Sequence, residues 1–366
     1  MLTSNEKIRY GRQLLLPEIG EQGQQRLSAA RLLVIGAGGL GCPALQYLAA
    51  AGVGTIGIAD GDRVEESNLQ RQVLYTGSDI GRSKALAAQE KLQAMNPYIQ
   101  VQAHPFAVTP ANILELIAPY DIIVDGTDNF AARYCINDAC VLMGKPWVFG
   151  SIFRFEGQVA VFNHEGGPSY RCIFPVPPGE EEIPACSVIG VLSSLPGIVG
   201  TLQATEAVKL ITGAGRLLSG RLLIIDALTM NIQAIQVSAS PEAKNIQALQ
   251  ASYEDACDAG TTLISYTELQ QLSPDAVVLI DVREPAEHAL ANIGGINIPL
   301  GRLEEACASL DGNRNIVVYC ASGIRSARAA ALLAKKGIAR VSSLRGGIRS
   351  LESGDWSLES VVWSLE

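Results

Sequence analysis

The sequence has no two cysteines in CxxC spacing, no apolar run long enough to span a bilayer, no excess of basic residues and no internal repeat. Each absence narrows the possibilities. Eight cysteines, at 42, 135, 140, 172, 186, 257, 307 and 320, are scattered over 366 residues. Their spacing excludes the usual zinc and redox signatures, and they read as reduced thiols, not as a disulfide framework. A formal net charge of −9 argues against a nucleic-acid partner, because phosphate backbones want a basic surface. Without a spanning run, and with residues 1–20 lacking the basic and apolar regions of a secretory signal, the expectation is a cytoplasmic protein with no membrane partner.

What is present begins with length: 366 residues exceed one ordinary core, so two domains are expected. Residues 31–41, RLLVIGAGGLG, run from an apolar strand straight into glycines at Gly36, Gly38, Gly39 and Gly41. The GxGxxG spacing predicts a buried parallel strand, a tight turn and a helix whose first N–H groups face a phosphate. Helix 40–51 follows with Pro43 in its first turn, then a strand over 55–59 that ends in ADGDRVEESNLQRQ. Asp60 stands about 20 residues past the glycine turn, where a strand-end carboxylate accepts from ribose hydroxyls. Lys84 opens a helix over 83–95, a place the helix dipole disfavours for a cation. Strand 121–124 runs into DGTDN, which sets Asp128 and Asn129 at a ligand-binding strand end or, equally, at the cap of a helix.

From Pro146 the pattern turns to a strand and hairpin, a long proline-rich crossing that ends at Cys186, a helix over 200–212 and two alternating strands. The fold class is therefore α/β, a Rossmann-like doubly wound, mainly parallel sheet with an added antiparallel part. Residues 239–260 read as a linker between a domain over 1–238 and a smaller α/β domain over 261–366, with core strands AVVLIDV and NIVVYC. Cys320 ends the second of these and begins CASGIRS, a loop that leads into a helix. Backbone N–H groups, the helix N-terminus and Arg325 at such a loop stabilise a thiolate or persulfide.

GAGGLG alone fits a nicotinamide-dependent oxidoreductase with a regulatory second domain. The cations that follow it argue otherwise, since a nicotinamide slot is apolar, whereas attack at a nucleotide α-phosphate needs cations and a metal-binding carboxylate. GAGGLG, the D-x-D strand end, SNLQRQ, the downstream lysine, TDN and RYGRQ together resemble the ubiquitin-activating-enzyme-like adenylyltransferases, of the molybdopterin-synthase and thiamine-biosynthesis type. The loop at Cys320, with DVREPAEHAL, INIPL and LRGGI, resembles a rhodanese domain.

The resemblance implies that Asp60 holds the ribose, that Arg71, Lys84, Asn68 and Gln72 hold the phosphates of ATP with Asp62 and Asn129 beside them, and that Asp128 binds Mg2+. Arg12 would reach the ATP of a partner subunit, which makes a homodimer part of the site. Cys186 matches a cysteine that captures an activated carrier, and Cys320 matches the persulfide cysteine, with Asp281 and Arg283 as the supporting pair. The implied partners are a ubiquitin-like sulfur carrier and a persulfide donor such as a cysteine desulfurase. The family's structural zinc is expected to be absent, because its first cysteine pair is reduced to Ser169 and Cys172 and its second, in QVSASPEAKN, is missing. A protein that binds a carrier without catalysis is the remaining alternative.

Overall fold

The chain is seen in a computed structural model that describes residues 2–177, 190–253, 262–273, 276–307, 310, 314–321, 323–338 and 340–348. It divides into a unit Met1–Tyr253 and a unit Glu254–Glu366. Cys186 lies outside the described residues.

In the first unit three short helices, α1 (Ser4–Arg9), α2 (Gly11–Leu14) and α3 (Gly20–Ala29), lead into β1 (Arg31–Ile35), α4 (Gly41–Ala51) and β2 (Thr55–Ala59). There follow α5 (Lys84–Met95), β3 (Gln100–His104), α6 (Ile113–Ile117), β4 (Ile122–Asp125) and α7 (Phe130–Met143). The unit closes with β5 (Trp147–Phe153), β6 (Glu156–Phe162), α8 (Leu195–Thr212), β7 (Arg221–Asp226) and β8 (Asn231–Gln236). One eight-stranded sheet runs in the order β3-β2-β1-β4-β5-β6-β7-β8. It is parallel as far as β5 and antiparallel beyond.

After Arg31, strand β1 is apolar and buried because both its faces are covered. Leu32 and Val34 enter one core, Leu33 and Ile35 the other. The strand order reverses between β1 and β4, and in open α/β sheets ligands bind outside the carboxyl ends of strands at such a reversal. The glycine turn follows β1 there, and the DGTDN segment follows β4.

Two expectations are revised. The helix expected over 200–212 starts five residues earlier, at Leu195; Pro196 sits in its first turn, where a missing N–H costs little. The residues after Ser238 continue the first unit. Glu242–Lys244 forms a 3-10 turn, and Tyr253, 7% exposed, gives its hydroxyl to Asp138 at 2.8 Å.

In the second unit β9 (Thr262–Ile264), α9 (Tyr266–Gln270), β10 (Val277–Asp281), α10 (Pro285–Leu290) and β11 (Ile296–Asn297) precede α11 (Leu300–Ala306), β12 (Asn315–Tyr319), α12 (Ile324–Lys335) and β13 (Val341–Leu344). Five parallel strands in the order β11-β10-β12-β13-β9 make its sheet, and Cys320 directly follows the central strand β12.

Candidate active sites

Two of the four glycines in the turn after β1, Gly36 and Gly41, are required by the protein itself, and a third, Gly39, is tightly packed. A Cβ on Gly36, which has φ +91°, would lie 2.7 Å from the Gly126 backbone; one on Gly41 would lie 2.0 Å from the Gly36 carbonyl oxygen; one on Gly39 would lie 3.2 Å from Pro196 of α8. Gly38 differs. Its φ is outside the left-handed region, and the nearest atom to a Cβ there is the amide nitrogen of Gln72, at an ordinary 3.5 Å. Among the described residues nothing crowds a side chain at 38. Gln72 itself is 4% exposed, and its amide oxygen has no hydrogen-bond partner among the described residues.

Asp60 directly follows β2 and holds this turn in place. Its carboxylate accepts from the backbone N–H of Ala37 at 2.7 Å and of Asp62 at 2.8 Å, while burial pushes its pKa upward. Lys84 is 6% exposed and donates from Nζ to Asp62 at 2.9 Å. The Tyr75 hydroxyl lies 2.9 Å from the Ala37 carbonyl and 3.1 Å from that of Lys84, tying the glycine turn to α5. Sequence reasoning missed Tyr75, since a tyrosine after NLQRQ carries no signature of that bond. Asn68 is buried and accepts from the Glu65 N–H, and Arg71 donates to the Ser67 carbonyl at 3.0 Å. Arg12 is exposed on α2.

At the end of β4, Asp125 is fully buried and accepts from the Thr127 N–H at 2.8 Å and hydroxyl at 2.6 Å; burial raises its pKa to about 6. Asp128 is exposed, and Asn129 caps α7 by accepting from the Ala132 N–H at 2.8 Å. The side chain seen to cap α7 is therefore that of Asn129. Cys42 and Cys135, pushed up to about 12 by burial, are held as neutral thiols.

In the second unit Cys320 is fully buried, with the Gly323 N–H donating to its sulfur at 3.2 Å. Gly323 takes φ +92°, which turns the loop back, and a Cβ on Gly347 would lie 2.4 Å from the Cys320 carbonyl oxygen. Gly347 of LRGGI thus leaves room for the cysteine loop. Arg325 is engaged by Glu287 through two bonds, at 2.7 and 2.6 Å, and this pairing holds the Glu287 carboxyl down at about 2. The loop's cation is therefore shared with a carboxylate that the sequence reading did not single out. Below it, fully buried Asp281 accepts from Arg283 Nη2 at 2.7 Å and meets His288 Nδ1 at 2.8 Å.

Residues 10–246 match the family model described as ThiF family, more than half of the chain. The chain belongs to the ThiF family. Residues 265–353 match the rhodanese-like domain. Over 365 residues, covering 95% of this chain and 93% of the relative, it is 46% identical to the "probable adenylyltransferase/sulfurtransferase MoeZ" of Mycobacterium tuberculosis. It is 52% identical over 244 residues, 65% of this chain and 90% of the relative, to the sulfur carrier protein adenylyltransferase of Thermus thermophilus. With the adenylyltransferase and sulfurtransferase MOCS3 of Mus musculus it shares 42% over 325 residues, covering 83% of this chain and 71% of the relative. Crystalline MccB of E. coli has a similar fold, with TM-score 0.59 and 22% identity over 66% of this chain and 72% of that one. This ThiF-family chain is an enzyme, an adenylyltransferase and sulfurtransferase.

The zinc that the resemblance implies does not fit the residues present. Ser169 and Cys172 face Ser240 and Ala243: the Cys172 sulfur accepts from the Ser169 and Ser240 N–H groups, each at 3.3 Å, and the Ala243 N–H donates to the Ser240 hydroxyl at 3.3 Å. Of these four side chains one is a thiol, and a tetrahedral zinc needs four ligands. Backbone N–H groups point at the sulfur from two segments and join them instead. A cavity of about 830 Å³ opens beside this knot, lined in part by Asp138, Arg171 and Gln250, and not at the glycine turn.

Proposed function

We propose that this enzyme activates the C-terminal glycine carboxylate of a ubiquitin-like sulfur carrier with ATP and then converts it to a thiocarboxylate. The observation that carries the first half is Gly38, a glycine with no steric reason among the described residues, beside the donor nitrogen of the Gln72 amide. A backbone open at that point lets a phosphate come within hydrogen-bond reach of the N–H groups that begin α4. Asp60 keeps acceptor capacity for the ribose after its two backbone bonds, and Lys84 and Arg71 supply the charge that a departing pyrophosphate needs.

Mg2+ wants oxygen ligands and is commonly held by one carboxylate plus substrate phosphates, which suits exposed Asp128 at the end of β4. Bound there, it would neutralise phosphate charge. The carrier's carboxylate oxygen attacks the α-phosphorus, the α–β phosphoanhydride bond breaks, and pyrophosphate leaves. Arg12, exposed on α2, would complete the neighbouring site of a homodimer.

In the second half the Cys320 persulfide, loaded by a donor of the cysteine-desulfurase class, attacks the acyl carbon with its outer sulfur and AMP leaves. A thiolate, that of Cys186 or an external one, then attacks the Cys320 sulfur of that acyl disulfide, forming a disulfide with Cys320 as the original S–S bond breaks. The carrier thiocarboxylate departs. Fusion of the two units raises the persulfide's effective concentration at the adenylate. Among the described residues no helix is long and apolar enough to cross a membrane, and with acidic net charge a cytoplasmic setting without nucleic acid is the reading we adopt.

The test is ATP–pyrophosphate exchange by the purified enzyme with ubiquitin-like sulfur carriers ending in glycine. Exchange that appears with such a carrier and vanishes in Asp128→Ala supports the reading; no exchange with any of them sinks it.

A further inference from the structure

We propose that Arg133 is the positioning residue of the adenylation step, fixing the turn between β4 and α7 so that Asp128 stands at the nucleotide. The proposal rests on the reading of Asp128 given above. Each residue of the turn ahead of Asp128 is held by a different partner. The Asp125 carbonyl accepts from Gln203 Nε2 at 2.6 Å. Gly126 is pressed on the glycine turn so closely that a Cβ would lie 2.3 Å from the Gly36 carbonyl oxygen. The Thr127 N–H and hydroxyl go to the Asp125 carboxylate, and the Thr127 carbonyl accepts from Arg133 Nη2 at 3.2 Å. Asp128 follows these residues and is exposed, and Asn129 caps the helix just after it.

Arg133 is 5% exposed, with its guanidinium carbon 5.5 Å from the Phe130 ring centre and 5.8 Å from that of Phe149, and the Tyr170 hydroxyl beside it. It is also the cation that offsets the buried Asp125 charge. Two polar atoms here lack a hydrogen-bond partner among the described residues: Asp125 Oδ2 and Arg133 Nε. A charged pair buried at the cost of unmade bonds is poor packing for stability alone, since apolar residues of similar volume are often no less stable. The arrangement makes sense if the turn must hold one geometry. Arg133 acts through Thr127, behind an aromatic cover.

Arg133→Met leaves Asp125 buried and unpaired and risks unfolding the unit, so the informative variant is the pair Asp125→Asn with Arg133→Met, which removes both charges. It is compared with wild type and Asp128→Ala by thermal melting, equilibrium ATP binding without Mg2+, and ATP–pyrophosphate exchange with a sulfur carrier. The expected double variant melts near wild type and binds ATP within about threefold, while exchange falls about 100-fold, the loss that follows an ångström-scale misplacement of a reacting group. Exchange within about threefold of wild type in the folded double variant, with Asp128→Ala inactive, overturns the assignment. So does an equal loss of ATP affinity and exchange rate, which would place Arg133 in binding. Wild-type exchange in Asp128→Ala instead removes the reading of Asp128, and this assignment with it.

Discussion

Gly38 and Gly41 lie three residues apart, and the protein crowds a side chain only at Gly41. At Gly41 an added Cβ meets the Gly36 carbonyl oxygen at 2.0 Å, where ordinary contact begins near 3.4 Å, so one backbone must move by more than an ångström. Gly41→Ala should therefore cost about 1–3 kcal/mol of stability and lower the melting temperature by about 3–10 °C for a unit of this size. At Gly38 the added methyl meets protein at 3.5 Å with no backbone strain, so Gly38→Ala should melt at or slightly above wild type. On the proposed reading the same methyl stands in the way of a phosphate oxygen approaching the N–H groups. Losing one charge-assisted bond costs about 1.5–3 kcal/mol, which weakens ATP binding about 10- to 150-fold. Melting curves and calorimetric titration with ATP on both variants read the two effects separately. Wild-type ATP affinity in Gly38→Ala, or a large melting loss in it, would refute the argument.

Asp281→Asn leaves Arg283, 5% exposed, without its counter-charge and should destabilise the second unit by about 3–5 kcal/mol; an unmoved unfolding transition for that unit contradicts this. Glu287 is held at about 2 by Arg325, below its ordinary 4.5, so its contribution to stability is present above that ordinary value and lost as pH falls toward 2. Denaturant titrations between about pH 5 and about pH 3 should show Glu287→Gln losing less stability over that span than wild type, and parallel losses count against the pairing. Metal analysis of the purified enzyme should find far less than one zinc per chain, and chelators should leave its melting unchanged. About one zinc per chain would mean that the knot at Cys172 recruits ligands from elsewhere.

Periodicity and turn chemistry were enough to read β1, β2 and α4 from the sequence, because an apolar run, a glycine cluster and a stop at Gly52, which adopts φ +84°, each act locally. The extension of α8 back to Leu195 was not legible. Leu-Pro-Gly looks like a turn until α8 is seen packing on Gly39 through Pro196. The residues after Ser238 read as a linker because what anchors them is long-range, a tyrosine hydroxyl on Asp138 and a serine N–H on Cys172. Charge and spacing marked Asp60, Lys84 and Cys320. Tyr75, Asp125, Arg133 and Glu287 went unmarked, because each acts through a partner distant in sequence or through a backbone group, and neither leaves a spacing to find.

The most direct test of the two-stage account is mass spectrometry of a sulfur carrier after incubation with ATP, Mg2+, a persulfide donor and either wild-type enzyme or Cys320→Ala. The account predicts that wild type replaces one carboxylate oxygen by sulfur, whereas Cys320→Ala releases pyrophosphate and accumulates the carrier adenylate without sulfur. Thiocarboxylate formed by Cys320→Ala at the wild-type rate would contradict it.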